Sequence, residues 1–286
     1  MPEACNYHIG DISIGLLPDT LKGSFDTPTS FDYFRSQEPA DITLKIHFNQ
    51  APEIPVEELT FDSGFGWLQY RSQGNQILRV RSSQRDPRLM GVFSEDFRSG
   101  EIFGGESESD PGEFIFPFSY PLGELYMTNL LGTGYGIMVH ACGVIYQGFG
   151  FLFVGTGGAG KSTTARLWQD QIRARVVNDD HVIVRKSRGQ FRIFGTPWHG
   201  REGIAMAEDA PLKYIFILKH ANANQLMPLR PPQAALALLA RSFSPFWSKS
   251  GMRYTLQLLA ELCQTVPCAE FGFVPDQSAV DFVGNL

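Results

Sequence analysis

Gly155-Thr156-Gly157-Gly158-Ala159-Gly160-Lys161-Ser162 is a complete match to the pattern G-x-x-x-x-G-K-[ST]. A loop of this composition cradles phosphate, and each position has a physical cause. Glycines permit backbone conformations that a Cβ would block, so successive N–H groups can turn inward toward phosphate oxygens. Lys161 places a compact positive charge over the outer phosphates, and Ser162 offers a hydroxyl to Mg²⁺. A helix that starts at the lysine adds its positive end. Gly155, Gly157, Gly158, Ala159, Gly160, Lys161, Ser162 and Thr163 are therefore the candidate contacts for ATP.

Further along the chain, an expected strand, Ala174 to Val177, runs into Asn178-Asp179-Asp180. A strand beside the one that feeds the loop would deliver both carboxylates to the carboxyl edge of the sheet, where ligands bind in open α/β sheets. Two acids there suggest divided labour, one serving Mg²⁺ and one receiving a proton from an attacking hydroxyl. Taken alone, the pair reads equally as a solvated loop or a helix cap. His140, in Met138-Val139-His140-Ala141, reads by itself as a structural histidine. The cluster Gly195-Thr196-Pro197-Trp198-His199-Gly200-Arg201-Glu202-Gly203 packs His, Arg and Glu among turn residues, either as a functional loop or as an ordinary connection.

The elements around these residues change character near residue 125. Before it the pattern is strand-like: Asp41 to Phe48 alternates apolar and polar residues strictly, as a half-buried strand requires. Trp67 to Tyr70 and Ile77 to Arg81 read as two strands joined by a hairpin at Ser72-Gln73-Gly74-Asn75. Gly104 to Gly112 reads as a polar loop. After residue 125, strands and helices alternate. Tyr135 to Tyr146 is strand-rich with a break expected at Ala141-Cys142-Gly143, and Gly150 to Val154 is a short strand. A helix comes next, on which Ala165, Trp168 and Ile172 share a face. Strands are expected around 174–177, 182–184, 191–194 and 213–218, then helices over Pro232 to Phe243 and Met252 to Gln264. The expected organisation is thus a β-rich accessory domain over 1–125 and an α/β phosphate-loop domain over 126–286.

Composition narrows the class. Hydrophobic residues make up 43% of the chain and charged residues 19%, so a packed core is expected. With 24 basic residues against 30 acidic and a net charge of −6, a nucleic-acid groove is not expected. No run of about 20 apolar residues suggests a membrane span. The start, MPEACNYHIGDISIGL, has no charged-then-apolar leader pattern, so a cytoplasmic protein is expected. Cys5, Cys142, Cys263 and Cys268 form no Cys-x-x-Cys pair and read as small buried hydrophobes.

In the order Val139-His140-Ala141, the Gly155 to Ser162 loop, then Val177-Asn178-Asp179-Asp180, the sequence resembles the catalytic domain of HPr kinase/phosphorylase and its related proteins. The resemblance covers about Tyr120 to the C-terminus. It implies a fold similar to the nucleotide-binding core shared with phosphoenolpyruvate carboxykinase. It further implies that His140 lies beside the active site, that Asp179 contacts the substrate hydroxyl as base, and that Asp180 supports Mg²⁺ with Ser162. HPr kinases carry a Leu-Glu-x-Arg-Gly-Leu-Gly-like signature downstream. The corresponding Thr196 to Gly203 segment is more similar to HPr-kinase-like proteins of peptide-modification clusters. Whether Arg201 or Glu202 acts in the site is left open. The expectation is an ATP- and Mg²⁺-dependent kinase acting on a serine of a peptide or small protein; HPr kinases assemble as oligomers, so the resemblance allows a homo-oligomer, although no segment specifies a subunit interface. A kinase of a free small-molecule hydroxyl and a non-catalytic ATP-dependent switch protein are the alternatives.

Overall fold

The computed structural model describes residues 5–19, 27–48, 52–53, 58–64, 66–81, 89–104, 115–171 and 173–286. Most of the polar loop expected at Gly104 to Gly112, and Ile172, lie outside these residues. The chain is mixed α/β with two large sheets. It divides into two compact units, one of Met1–His8 and Ile12–Thr133, the other of Ile9–Asp11 and Gly134–Leu286.

The first unit holds β1 (Cys5–His8), β2 (Ser13–Pro18), β3 (Arg35–Ser36), β4 (Ile42–His47), β5 (Glu58–Asp62), β6 (Trp67–Ser72), β7 (Asn75–Val80), β8 (Leu89–Phe93) and β9 (Ser99–Gly104). They form one sheet in the order β3-β1-β2-β4-β9-β8-β7-β6-β5, in which β4 runs parallel to both β2 and β9. The alternation in β4 is realised: Ile42, Leu44 and Ile46 are buried while Thr43 and Lys45 are exposed. β6 and β7 form the expected hairpin, with Gln73 and Gly74 both at positive φ (48° and 78°) as a twist-compatible two-residue turn requires. Two short helices, α1 (Thr29–Asp32) and α2 (Leu122–Leu130), complete the unit. Tyr126 of α2 is buried, its hydroxyl donating to the Phe97 carbonyl at 3.0 Å.

The second unit holds β10 (Ile137–Tyr146), β11 (Phe149–Val154), α3 (Lys161–Gln169), β12 (Ala174–Asn178), β13 (His181–Ser187), β14 (Gln190–Phe194) and β15 (Asp209–His220). After them come β16 (Gln225–Pro228), α4 (Pro231–Leu239), β17 (Ser242–Phe243), α5 (Lys249–Thr265), β18 (Cys268–Phe273) and α6 (Gln277–Gly284). The strand order is β11-β10-β13-β14-β15-β18-β16, and β11 pairs in addition with β15, so five of the strands close a ring. The break expected at Ala141-Cys142-Gly143 is absent. β10 runs straight through, and those residues are where it changes partners. Its first half, Ile137 to His140, pairs with β13. Its second half, Ala141 to Tyr146, pairs with β11, and Gly143 to Tyr146 also pair with β12.

β11 reads as an unbroken apolar run because both of its faces are covered. Leu152 and Val154 enter one core with α4 and α5, whereas Phe151 and Phe153 enter another with α3 and α6. The helix expected to reach Phe243 stops at Leu239. The Arg241 and Ser242 side chains donate to the last carbonyls, those of Ala237 (2.9 Å) and Leu238 (2.7 Å), and the chain turns off to form β17 against β10. Cys142, Cys263 and Cys268 are buried and Cys5 is partly exposed; all four are free thiols. Among the described residues, no helix is long and apolar enough to cross a membrane.

Candidate active site

β11 delivers the phosphate loop. Val154 is its last residue, and Lys161 opens α3 directly after Gly160, which has φ +106°. Only glycine fits at 160: a Cβ there would also lie 2.3 Å from the Phe273 ring, at the end of β18. Lys161 is buried and folds back on its own loop, donating from Nζ to the Gly155 carbonyl at 2.9 Å and the Thr156 carbonyl at 3.4 Å. Burial presses its pKa down, while the charges of Asp180 and Asp179 pull the other way. Ser162 and Thr163 sit half-buried on the first turn of α3.

The acid pair emerges at the same edge, although β12 does not lie beside β11 as expected. β10 stands between them. Ala141 pairs with Val154 and Gly143 with Asn178, so β11 and β12 both run antiparallel to β10 and end together. The Ala141 N–H also donates to the Asp180 carbonyl at 3.0 Å, which ties the acid pair to the residue opposite the start of the loop.

Asn178 organises the turn that carries the acids, although no sequence motif assigns it a role. Its side chain is 0% exposed. Oδ1 accepts from the Asp180 and His181 N–H groups, each at 2.7 Å. Nδ2 donates to the Thr196 carbonyl at 3.0 Å and the Trp198 carbonyl at 2.7 Å. One amide thereby fastens this turn to the 196–203 segment.

The two carboxylates then diverge. Asp179 is 2% exposed, and both its oxygens are engaged: Oδ1 accepts from the Gly200 N–H and Oδ2 from the Glu202 N–H, each at 3.0 Å. A Cβ at Gly200 would lie 2.5 Å from Asp179 Oδ2, so glycine is what lets the segment approach. The Glu202 carboxylate forms a two-pronged ion pair with Arg166 of α3, at 2.8 Å in both contacts, and Arg201 is exposed. Glu202 thus anchors its segment to the helix that follows the phosphate loop. Asp180 is the more open acid, with 25% of its side chain exposed. His140 Nε2 lies 2.6 Å from its Oδ1, and the His140 side chain is 34% exposed. His181 Nδ1 approaches Asp180 Oδ2 at 3.3 Å, and the His181 ring stacks on Phe243 at 4.6 Å. Burial alone would raise the Asp180 pKa. The hydrogen bond and charge of His140, with the charges of His181 and Lys161, outweigh it and hold the carboxyl below its usual range.

The structure therefore brings His140, Lys161, Asp179 and Asp180 into one electrostatic neighbourhood at the end of β11 and β12. Cys142 is there too, its thiol pushed well up by burial and by Asp179, hence neutral. His181 and Arg166 are site residues that pattern reading missed, and Asn178 and Gly200 stood inside quoted segments without a role of their own. Only Asn178 carried a signal, as a buried-strand asparagine directly before two acids.

A family model described as "SynChlorMet cassette protein ScmC" matches residues 125–266, just under half of the chain. That span contains His140, the phosphate loop, the acid pair and the 196–203 segment. Among solved structures, the chain is similar to the Hpr(Ser) kinase/phosphatase from Coxiella burnetii. The identity is 11%, over 52% of this chain and 90% of that one, with a TM-score of 0.30. None of the curated proteins compared matches the chain.

Proposed function

We propose that this chain is an ATP- and Mg²⁺-dependent phosphotransferase that acts on a serine hydroxyl of a peptide or small protein. The observation that carries the reading is the meeting, at one sheet edge, of a complete phosphate loop with a solvent-accessible Asp180–His140 pair. The acceptor class rests on the resemblance of the 196–203 segment to HPr-kinase-like proteins of peptide-modification clusters.

The residues present suit the ligands. Lys161, already dehydrated and held only by loop carbonyls, has charge to offer a phosphate. The Ser162 hydroxyl and the Asp180 carboxylate are the hard oxygen donors that Mg²⁺ prefers, and would hold it. Bound there, the ion would neutralise charge on the outer phosphates. Loop N–H groups and Lys161 would stabilise the charge that builds on the transferring phosphoryl group.

The proton acceptor is assigned to His140 rather than to Asp179. A base needs an accessible lone pair, and both oxygens of Asp179 are buried and occupied by backbone donors. In its neutral form, with Nε2–H donated to Asp180, His140 has a lone pair on Nδ1 for the hydroxyl proton. Asp179 instead holds the 200–202 backbone beside the site.

The test is transfer of label from γ-labelled ATP to serine-containing peptides, with Lys161→Ala, Asp180→Asn and His140→Gln alongside. Lys161→Ala should lose nucleotide affinity. His140→Gln should keep it and lower the turnover by roughly 10²- to 10⁴-fold. ATP bound tightly but never transferred, across peptide and metabolite acceptors, would refute the phosphotransferase reading.

A further inference from the structure

His220 closes β15 and belongs to none of the sequence motifs. β15 runs parallel to β11, with Val154 opposite Ile217, so its last residues project beside the phosphate loop. There His220 Nε2 lies 2.9 Å from the carbonyl oxygen of Gly158. The imidazole is held by a neighbour that serves the same loop: Phe273, its partner across β18, stacks near it at 6.1 Å with the rings 26° apart, and Phe273 also backs Gly160.

We infer that His220 is a positioning residue of the phosphate loop, setting the peptide plane between Gly158 and Ala159 for phosphate binding. The inference rests on the nucleotide reading of this loop. In a trans peptide the C=O and the following N–H point in opposite directions. Fixing the Gly158 carbonyl on His220 therefore turns the Ala159 N–H back into the loop, where the Thr156 carbonyl accepts it at 3.1 Å. Without that bond the Ala159–Thr156 bond is left to hold the plane, and Gly158, with φ +79° and open space where a Cβ would be, offers no steric resistance to its rotation. Lys161 cannot substitute for His220. Its contacts are with Gly155 and Thr156, at the other end of the loop, and phosphate would draw its ammonium away from them.

Calorimetric titration of the whole protein with Mg–ATP and, separately, with inorganic tripolyphosphate tests this in the wild type, His220→Ala, His220→Gln and Lys161→Ala. Loss of one net hydrogen bond should weaken both ligands alike, by roughly two- to ten-fold in His220→Ala. His220→Gln, which still offers an N–H, should recover most of the affinity. His220 is exposed, so the thermal unfolding of the variants should match that of the wild type. Unchanged affinity in His220→Ala, with Lys161→Ala impaired, would overturn the inference and leave the nucleotide reading intact. Weakening of ATP but not of tripolyphosphate would also overturn it, since His220 would then be touching the base or ribose. A wild type that binds neither ligand would end both readings.

Discussion

Replacing Asn178 with alanine should damage the site more than replacing either acid beside it. The truncation removes the acceptor for the Asp180 and His181 N–H groups and the amide donor to the Thr196 and Trp198 carbonyls. The Thr196 hydroxyl, placed between the His181 carbonyl (2.7 Å) and the Trp198 carbonyl (2.9 Å), can still turn to the latter, so three backbone groups are left stranded around a side chain that is fully buried. Each stranded group costs about 1–3 kcal/mol. Some relaxation, or a water in the vacated amide volume, brings the sum to roughly 3–5 kcal/mol. Against a net stability of about 5–15 kcal/mol for an ordinary domain, that is a large fraction.

Asn178→Asp sharpens the reasoning, because it keeps the acceptor for the two N–H groups and spoils only the donor half. It sets a carboxylate oxygen against two carbonyls and should release the 196–203 segment while the turn at Asp180 survives. The assay is urea unfolding followed by tryptophan fluorescence, with amide hydrogen exchange to locate the damage. Asn178→Ala should lose protection at Asp180, His181, Gly200 and Glu202 together; Asn178→Asp should lose it first at Gly200 and Glu202. A loss below about 1 kcal/mol in the alanine variant, with Asp180 and His181 still protected, would refute the hub role of this amide.

Three more outcomes are expected from the same geometry. Burial holds the Lys161 pKa below the free value of about 10.4, so the folded state binds that proton less tightly than the unfolded chain, and its charge penalises folding until pH rises through that interval. Lys161→Met should therefore lose nucleotide affinity yet be no less stable at pH 7, with the wild type gaining on it as pH rises toward the free value, by chemical denaturation. Asp180 is held below the usual carboxyl range, so its contribution is present above about pH 4 and lost as pH falls through the depressed value. The stability difference between wild type and Asp180→Asn should accordingly be larger at pH 6 than at pH 3. Gly160→Ala meets both a φ of +106° and the Phe273 ring, and should cost about 2–4 kcal/mol in thermal unfolding; adding Phe273→Leu should relieve the contact but not the backbone strain.

How far the sequence could reveal this site depended on whether a feature was local. The strand and helix around the 155–162 loop were legible because the glycines, Lys161 and Ser162 are contiguous and mark where one element ends and the next begins. β4 and the β6–β7 hairpin were legible for the same reason, since alternation and a two-residue turn are written in neighbouring side chains. The continuity of β10 was not. Its small residues Ala141, Cys142 and Gly143 look like an interruption, and only the crossing from β13 to β11 and β12 shows that small side chains serve an exchange of partners.

The acid pair shows where local reading ends. Asp179 and Asp180 are the same residue type, side by side, and nothing near them in sequence says which is open to a ligand. The difference is imposed from outside. The turn after β12 sends the two side chains to different partners. On one side β10 brings His140, which polarises Asp180 and leaves it partly exposed; on the other, the 200–202 backbone covers Asp179 with two N–H donors. That backbone can approach only because residue 200 is glycine, and it stays because Glu202 is tied to Arg166 and Trp198 to Asn178. The cluster at Gly195 to Gly203 therefore does not need to supply a reacting side chain to matter. By occupying both oxygens of Asp179 it leaves Asp180 as the more open carboxylate, so exchanging the two environments would take a change in the loop rather than in either aspartate.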